Sequence, residues 1–165
     1  MLAIQSLKQN PHLKACLNDL FVSFKNHLEQ VYQITPNFYT GDFLPEIEKY
    51  AQNPHTDAFI LYIDNQPVGC VAYHAYQPNK AEIKRLYVLP AHQRQGYAKR
   101  LMHHVLNAIE SEGVFESVLL DTEARLGLQA FYESFGFQST DPYHEIIYDG
   151  MLYFERPVNT LLTTT

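Results

Sequence analysis

Residues 81–100 read AEIKRLYVLPAHQRQGYAKR. The pattern predicts a strand, a short turn around Gly96 and the first turns of a helix. Six of the twelve lysines and arginines lie in or beside this stretch, and they are Lys80, Lys84, Arg85, Arg94, Lys99 and Arg100. A helix N-terminus presents unpaired N–H groups and a partial positive charge. This basic strand–turn–helix therefore predicts a site for an anionic, phosphate-bearing ligand.

The bulk properties favour one globular domain. With 165 residues and 46% apolar content, the chain is long enough for a single core. We expect that domain over residues 1–157, with residues 158–165 as a flexible tail. A formal net charge of −6 argues against a nucleic-acid partner. The two cysteines form no paired motif, and no membrane span or signal peptide is visible, so we expect reduced thiols in a cytoplasmic protein.

Working outward from residues 81–100, alternating and helical patterns predict the remaining elements. Residues 1–6 read as an edge strand, and residues 11–33 and 45–51 as helices. Residues 58–63 and 68–76 read as a hairpin joined by residues 64–67. After a helix over residues 94–110 that Gly113 ends, the pattern predicts a strand at 117–121 and a short helix at 126–135. A final strand pair is expected at 137–147 and 151–155, with a turn at Asp149-Gly150.

This order of elements predicts an α/β fold. The antiparallel hairpin before the strand–turn–helix indicates a mixed, mostly antiparallel central sheet flanked by helices, not a doubly wound parallel sheet. One glycine is a weak phosphate-binding signal by itself, and the turn is neither a P-loop nor a three-glycine dinucleotide turn.

The run Gln93-Arg94-Gln95-Gly96-Tyr97-Ala98 resembles the Gln/Arg-x-x-Gly-x-Gly/Ala motif of the GNAT N-acetyltransferase superfamily. Residues 82–88 resemble that family's central strand. Residues 120–122 and 130–137 resemble its next strand and the helix that follows. The resemblance covers residues 58–155, and it implies the GNAT-like acyl-CoA N-acyltransferase fold.

The resemblance also implies a cofactor, acetyl-CoA, and a way of binding it. Backbone N–H groups of the turn would hold the pyrophosphate, and these belong to Gln93, Arg94, Gln95, Gly96, Tyr97, Ala98 and Lys99. The pantetheine arm would lie along the strand edge at Leu86, Tyr87 and Val88, filling a gap where this strand and residues 118–121 separate. The side chains of Arg94, Lys99 and Arg100 are either contacts to the 3′-phosphate or solvated helix charges.

Two residues are the candidates for catalysis that the resemblance implies. Tyr132 occupies the place of the tyrosine that gives a proton to the departing thiolate; its alternative role is a core aromatic among phenylalanines. Glu82 occupies the place of a glutamate that takes the proton of the amine, often through water; its alternative is an exposed side chain or a salt bridge to Lys84 or an arginine. A backbone N–H near Leu86 or Tyr87 would polarise the acetyl carbonyl.

The function expected from this resemblance is transfer of an acetyl group to a primary amine of a small molecule. Acetylation of a peptide or protein amine, and a non-catalytic acyl-CoA sensor, remain open alternatives. Four residues near the last strands are candidates to line the acceptor pocket, namely Tyr143, His144, Glu145 and Asp149. No Cys/His spacing predicts a metal. Edge strands near the C-terminus are compatible with a homodimer.

Overall fold

Seven strands hydrogen-bond into one sheet with helices against both faces, in a computed structural model that describes residues 1–34, 42–144 and 150–159. The strands are β1 Leu2–Ser6, β2 Asp57–Ile63, β3 Gln66–Gln77, β4 Lys80–Val88, β5 Ser117–Glu123, β6 Gln138–Ser139 and β7 Met151–Pro157. The helices are α1 Lys14–Tyr32, α2 Leu44–Gln52, α3 Tyr97–Glu112 and α4 Gln129–Glu133. Within the described ranges, no helix is long and apolar enough to cross a bilayer.

The sheet order is β1-β2-β3-β4-β5-β7-β6. The β4–β5 pair is parallel, and the other neighbouring strands are antiparallel. The predicted mixed, mostly antiparallel sheet flanked by helices is therefore confirmed. A parallel pair needs a crossover connection, and α3 supplies it between β4 and β5.

The parallel pair β4–β5 is short and opens toward one end. It spans only Lys80 to Glu82 on β4, opposite Ser117 to Leu119 on β5. Both strands continue past this point, β4 to Val88 and β5 to Glu123, without pairing with each other. The second halves of the two strands thus border a gap in the sheet, as the resemblance implied.

A β-bulge in β4 lies beside this gap. On β3, Ala72 pairs with Lys84 and Cys70 pairs with Tyr87, so two residues of β4 face one residue of β3. The bulged residue Arg85 has φ of 61°, in the left-handed region that an arginine seldom adopts. Its guanidinium bonds in bidentate fashion to Glu46 on α2, at 2.6 and 3.0 Å, and this pair ties α2 to the bulge.

The two faces of the sheet bury different cores. Leu101, Met102 and Val105 of α3 pack with Ala81 and Ile83 of β4 on one face. On the other face, α1 and α2 pack through residues such as Leu17, Phe21, Ile47 and Tyr50. Because successive strand residues point to opposite faces, Glu82 lies on the α1–α2 side.

The boundaries of several predicted elements shift. The helix predicted from residue 94 begins at Tyr97, because Arg94 and Gly96 both have positive φ. It ends at Glu112, and the predicted cap Gly113 follows with φ of 72°. The hairpin turn is only Asp64-Asn65, both with positive φ, so β3 begins at Gln66. The helix predicted at 126–135 is wrong in its first part, where Gly127 adopts φ of 66° and separates a 3₁₀ turn from α4.

The C-terminal region differs most from prediction. The strand predicted over residues 137–147 reduces to β6, Gln138–Ser139, among the described residues. Residues 145–149, with Asp149 of the expected turn, lie outside them. The predicted tail begins too early, because Val158 is buried and its N–H donates to Glu116 O at 2.9 Å. Residues 160–165 lie outside the described ranges.

Candidate active site

A cleft of about 560 Å³ opens where β4 and β5 separate. One end lies at the N-terminus of α3, and the other reaches the last residues of β5. Residues of α1, including Phe24, His27 and Tyr32, form one wall. Nine of the ten predicted cofactor residues line it, and they are Leu86, Tyr87, Val88, Gln93, Arg94, Gly96, Tyr97, Ala98 and Lys99, while Gln95 does not.

The turn before α3 is shaped by backbone conformation. Gly96 has φ of 84° and precedes the first residue of the helix. A Cβ at Gly96 would meet no protein atom within 4 Å, so the backbone conformation explains the glycine and crowding within the protein does not. Gln93 fixes the start of the turn, because its Nε2 donates to Val88 O at 2.9 Å. Its side chain is therefore bound to the end of β4.

The β4 edge presents backbone to the cleft and side chains to the helices. Tyr87 is buried; its ring stacks on Phe24 at 5.0 Å, and its hydroxyl lies 2.8 Å from Ser23 Oγ. The bulge at Arg85 takes the neighbouring backbone out of the regular ladder with β3. Leu86 lies beside this break and lines the cleft.

Tyr132 lies on α4 and lines the cleft. It is 6% exposed and packs against Phe131, Phe137 and Phe154, so it is a core aromatic and a cleft residue at once. Burial, with the nearby charge of Asp121, raises the pKa of its phenol, and a hydrogen bond with Thr122 opposes that rise. The phenol therefore stays protonated at neutral pH and can serve as a donor.

Glu82 is the centre of a buried hydrogen-bond network, although it is not among the residues that line the cleft. His74 Nε2 lies 2.6 Å from its Oε1, the Tyr143 hydroxyl donates to Oε2 at 2.6 Å, and Lys84 Nζ is 3.7 Å away. Burial by itself would raise the pKa of Glu82, but these partners lower it to about 2. Glu82 is thus an ionised and weakly basic carboxylate.

A second carboxylate lies on the same face as Glu82. Asp121 of β5 forms a hydrogen bond with His144 Nε2 and lines the cleft. One ligand atom each from Glu82, Asp121 and His144 lie within 4.8 Å of one another, a spacing that could hold a metal ion. In the structure all three side chains are engaged in hydrogen bonds to protein groups. The expectation that no metal binds stays a prediction.

The structure brings together some predicted acceptor residues and adds others. Tyr143 and His144 join the network around Glu82 and Asp121, while Glu145 and Asp149 lie outside the described residues. His74, Asp121 and Glu123 were not predicted as site residues. A partial signal existed at His74, which lies between Tyr73 and Ala75, whereas Asp121 and Glu123 flank Thr122 and show no such alternation.

The comparisons with known proteins agree with this geometry. The profile of the acetyltransferase (GNAT) family matches residues 21–137. An N-acetyltransferase of Bacillus subtilis named as uncharacterized, YsnE, is 30% identical over 115 residues, which are 68% of this chain and 71% of that protein. A similarly named protein of Schizosaccharomyces pombe is 34% identical over 88 residues, 52% of this chain and only 53% of the relative. The chain belongs to the GNAT acetyltransferase family.

Solved structures show the same fold. A GNAT-family acetyltransferase of Staphylococcus aureus Mu50 superposes with a TM-score of 0.74 at 17% identity, covering 95% of this chain and all of that one. The ribosomal-protein-S18-alanine N-acetyltransferase of Escherichia coli superposes with a TM-score of 0.65 at 20% identity, covering 98% of this chain and 96% of that one. At such identities the likeness supports the fold alone.

Proposed function

We propose that the chain transfers an acetyl group from acetyl-CoA to a primary amine of a small molecule, by direct attack within a ternary complex. The observation that carries the proposal is the single cleft that runs from the helix N-terminus at Gly96 to the carboxylate of Asp121. The helix end favours phosphate groups, and the separated strand edges offer backbone to an extended arm. The carboxylates at the other end favour an amine.

The residues fit the acyl donor. Backbone N–H groups from Gln93 to Lys99 would hold its pyrophosphate, and the edge from Leu86 to Val88 would hold its pantetheine arm. When bound there, acetyl-CoA supplies a thioester carbonyl as the acyl source. N–H groups freed by the bulge at Arg85 would stabilise negative charge on the carbonyl oxygen.

The proton steps are assigned to Glu82 and Tyr132. The amine attacks as the free base, after its ammonium proton has passed to solvent. As its nitrogen bonds to the carbonyl carbon, the nitrogen becomes strongly acidic, so even a weak base such as Glu82, which does not line the cleft, can take that proton through a water molecule. His74, whose side chain is 35% exposed, would pass that proton to solvent. The carbon–sulfur bond then breaks, and the Tyr132 phenol donates a proton to the leaving thiolate. The products are an N-acetylated amine and free CoA.

Binding of the acyl donor is the first test. Saturating acetyl-CoA should raise the melting temperature, because a ligand of the native state stabilises it. Gly96→Ala should reduce the affinity about tenfold, since a side chain at φ of 84° strains the turn by about 1–2 kcal/mol. Gln95→Ala is the matched control and should bind normally. An absent thermal shift with wild-type protein would refute the proposal.

Turnover is the second test. A thiol-release assay with a panel of amines, run beside short peptides with free N-termini, separates the acceptor classes. A peptide acceptor is the second candidate function, because one relative, 28% identical over 85 residues, is named N-alpha-acetyltransferase 50 of Danio rerio. Turnover of peptides alone would favour that candidate. Tight CoA binding with no turnover on any amine would favour an acyl-CoA sensor.

A further inference from the structure

Three carboxylates lie on the α1–α2 side of the sheet, and two of them are at the acceptor end of the cleft. Leu120 packs into the core on the α3 side, so its neighbours Asp121 and Glu123 point to the other face, where Glu82 also points. Asp121 and Glu123 both line the cleft. Two residues along a strand span about 6–7 Å, which sets the distance between the backbone positions of these two acids.

One of these acids is incompletely satisfied. Glu123 is 5% exposed, and its Oε1 accepts from Arg125, from Nε at 3.1 Å and from the backbone N–H at 3.4 Å. Its Oε2 is buried and has no hydrogen-bond partner. A buried carboxylate oxygen without a donor is costly, and such an atom in a native protein indicates a missing water or ligand.

A second unsatisfied group lies on the same face. The hydroxyl of Tyr153 is also buried without a partner, and across the described ranges it and Glu123 Oε2 are the two side-chain atoms of this kind. Tyr153 lies opposite Asp121 in the β5–β7 ladder, so both point to the same side. Its ring lies 5.4 Å from that of Tyr143 and 5.1 Å from that of His144.

Carboxylates among aromatic rings form an environment for organic ammonium groups. The oxygens supply charge-assisted acceptors, and tyrosine faces attract cations. Arg125 bonds to Glu123 Oε1 and Lys84 lies near Glu82, and neither donates to Glu123 Oε2, so this oxygen still lacks a hydrogen-bond donor. An acceptor that carried a carboxylate in place of a second ammonium would meet repulsion at Glu123.

We propose that the acceptor is a small dicationic amine, with its reacting nitrogen near Glu82 and Asp121 and its second ammonium bound at Glu123 Oε2. This inference rests on the proposed function and narrows its substrate class. The 6–7 Å between strand positions fits two ammonium groups that are separated by about four methylene carbons. The second ammonium supplies the hydrogen-bond donor that Glu123 lacks.

The test compares three four-carbon amines that differ only at the far end: 1,4-diaminobutane, butylamine and 4-aminobutyrate. With saturating acetyl-CoA, kcat/KM should be at least tenfold higher for the diamine than for butylamine, because a charge-assisted hydrogen bond is lost in the monoamine. The aminobutyrate should be the poorest substrate. Equal values for the diamine and the monoamine, or a preference for 4-aminobutyrate, would overturn the inference.

Substitutions at Glu123 and Arg125 test whether the preference for the diamine arises at Glu123. Glu123→Gln should lower kcat/KM at least tenfold for the diamine and change it less than about twofold for butylamine. Arg125→Gln should act in the opposite direction and lower KM for the diamine, because it removes a positive charge beside Glu123. Arg125 is half exposed, so this variant tests the inference even if Glu123→Gln does not fold. An equal loss for both amines, or weaker acetyl-CoA binding in Glu123→Gln, would contradict it.

A binding measurement separates this inference from the proposed function. Calorimetry with 1,4-diaminobutane on the protein saturated with CoA needs no turnover. Diamine binding that depends on Glu123, in a protein that acetylates nothing, would leave the cation site in place and refute the transferase. Acetylation of amines without any preference for a second ammonium would keep the transferase and refute the cation site.

Discussion

Glu82 keeps a charge in a place where an isolated carboxylate would lose it. The residue is 2% exposed, yet the donors around it outweigh the cost of burial. Its low pKa restricts its chemistry, because a carboxylate of this kind orients its partners strongly and binds a proton weakly. At Tyr132 burial outweighs the hydrogen bond with Thr122, so the pKa of the phenol rises and the group stays neutral.

The low pKa of Glu82 predicts a specific dependence of stability on pH. Its folded-state pKa of about 2 lies below the ordinary value of 4.5, so the stabilisation is present above about pH 4.5 and is lost as pH falls toward 2. Between pH 5 and pH 2 the wild type should lose up to about 3 kcal/mol more unfolding free energy than Glu82→Gln. Urea denaturation across this range measures the difference, and parallel pH profiles would disprove it.

At Tyr132 a single oxygen atom can be removed with little effect on packing. Tyr132→Phe should lower kcat about 10²-fold, because the thiolate then lacks a general acid, while the affinity for acetyl-CoA stays within about twofold. The matched control is Tyr62→Phe on β2, whose hydroxyl contacts Cys16 and which does not line the cleft. Unchanged kcat in Tyr132→Phe would remove the phenol from the mechanism.

Among the elements, β4 combines several functions over nine residues. Its first three residues pair with β5, its bulge at Arg85 lies beside the cleft, and its last residues precede the turn to α3. The bulge is stabilised from outside the strand, because Glu46 of α2 pairs with the buried Arg85. Loss of one partner would leave a buried charge without compensation.

The packing of β3 against β4 and α3 depends on Gly69. A Cβ there would lie 2.8 Å from Tyr87 O and 3.1 Å from Leu101 Cδ1. Gly69→Ala should therefore lower the unfolding free energy by about 1–3 kcal/mol, through overpacking against a backbone atom that cannot move aside. Thermal unfolding measures the loss.

A matched variant separates crowding from backbone strain. Gly96→Ala adds the same methyl group where nothing lies within 4 Å, so its cost comes from its positive φ alone. Its melting temperature should fall less than that of Gly69→Ala. A Gly69→Ala protein as stable as wild type would show that β3 can shift away from β4.

Over the whole molecule, the two faces of the sheet differ in the residues that they bury. The α3 face is a continuous apolar core, and the α1–α2 face adds the carboxylates of the cleft to its own core. The net charge of −6 adds a long-range field to these local charges. That field favours the approach of cations from solution.

This field predicts a dependence on salt. With saturating acetyl-CoA, kcat/KM for 1,4-diaminobutane should fall several-fold as ionic strength rises from about 20 to 300 mM, because screening weakens attraction of a dication. The value for 4-aminobutyrate, which carries no net charge, should change little. An identical response of the two substrates would show that steering is not important.

Much of the fold was predictable because it depends on local patterns. Alternation predicted β2 to β5, Gly113 marked the end of α3, and the run from Gln93 to Ala98 placed the turn. The α4 region was harder, because Gly127 interrupts a pattern that otherwise reads as one helix. The strand predicted after Phe137 is mostly absent from the described residues, since the Asp141-Pro142 pair is a turn signal that the strand prediction overlooked.

The candidate site was predictable only in part. Tyr132 and the residues around Gly96 belong to a motif in which sequence spacing alone places the groups. His74 lies on β3 while Asp121 and Glu123 lie on β5, and only the register of the sheet brings them to one face. From the sequence alone, a polar residue in a strand is expected to face solvent, because the residues that pack around it in space are not known.

The sequence by itself determined the class of fold, the family and the turn before α3, because each is marked by patterns of residues close together in the chain. The tertiary structure decided the bulge at Arg85, the low pKa of Glu82 and the unsatisfied oxygen of Glu123. These features depend on burial and on partners such as Glu46, His74 and Tyr143, which lie up to 61 residues away. Desolvation and hydrogen bonding act through space, so the chemistry of the cleft exists only once the sheet has formed.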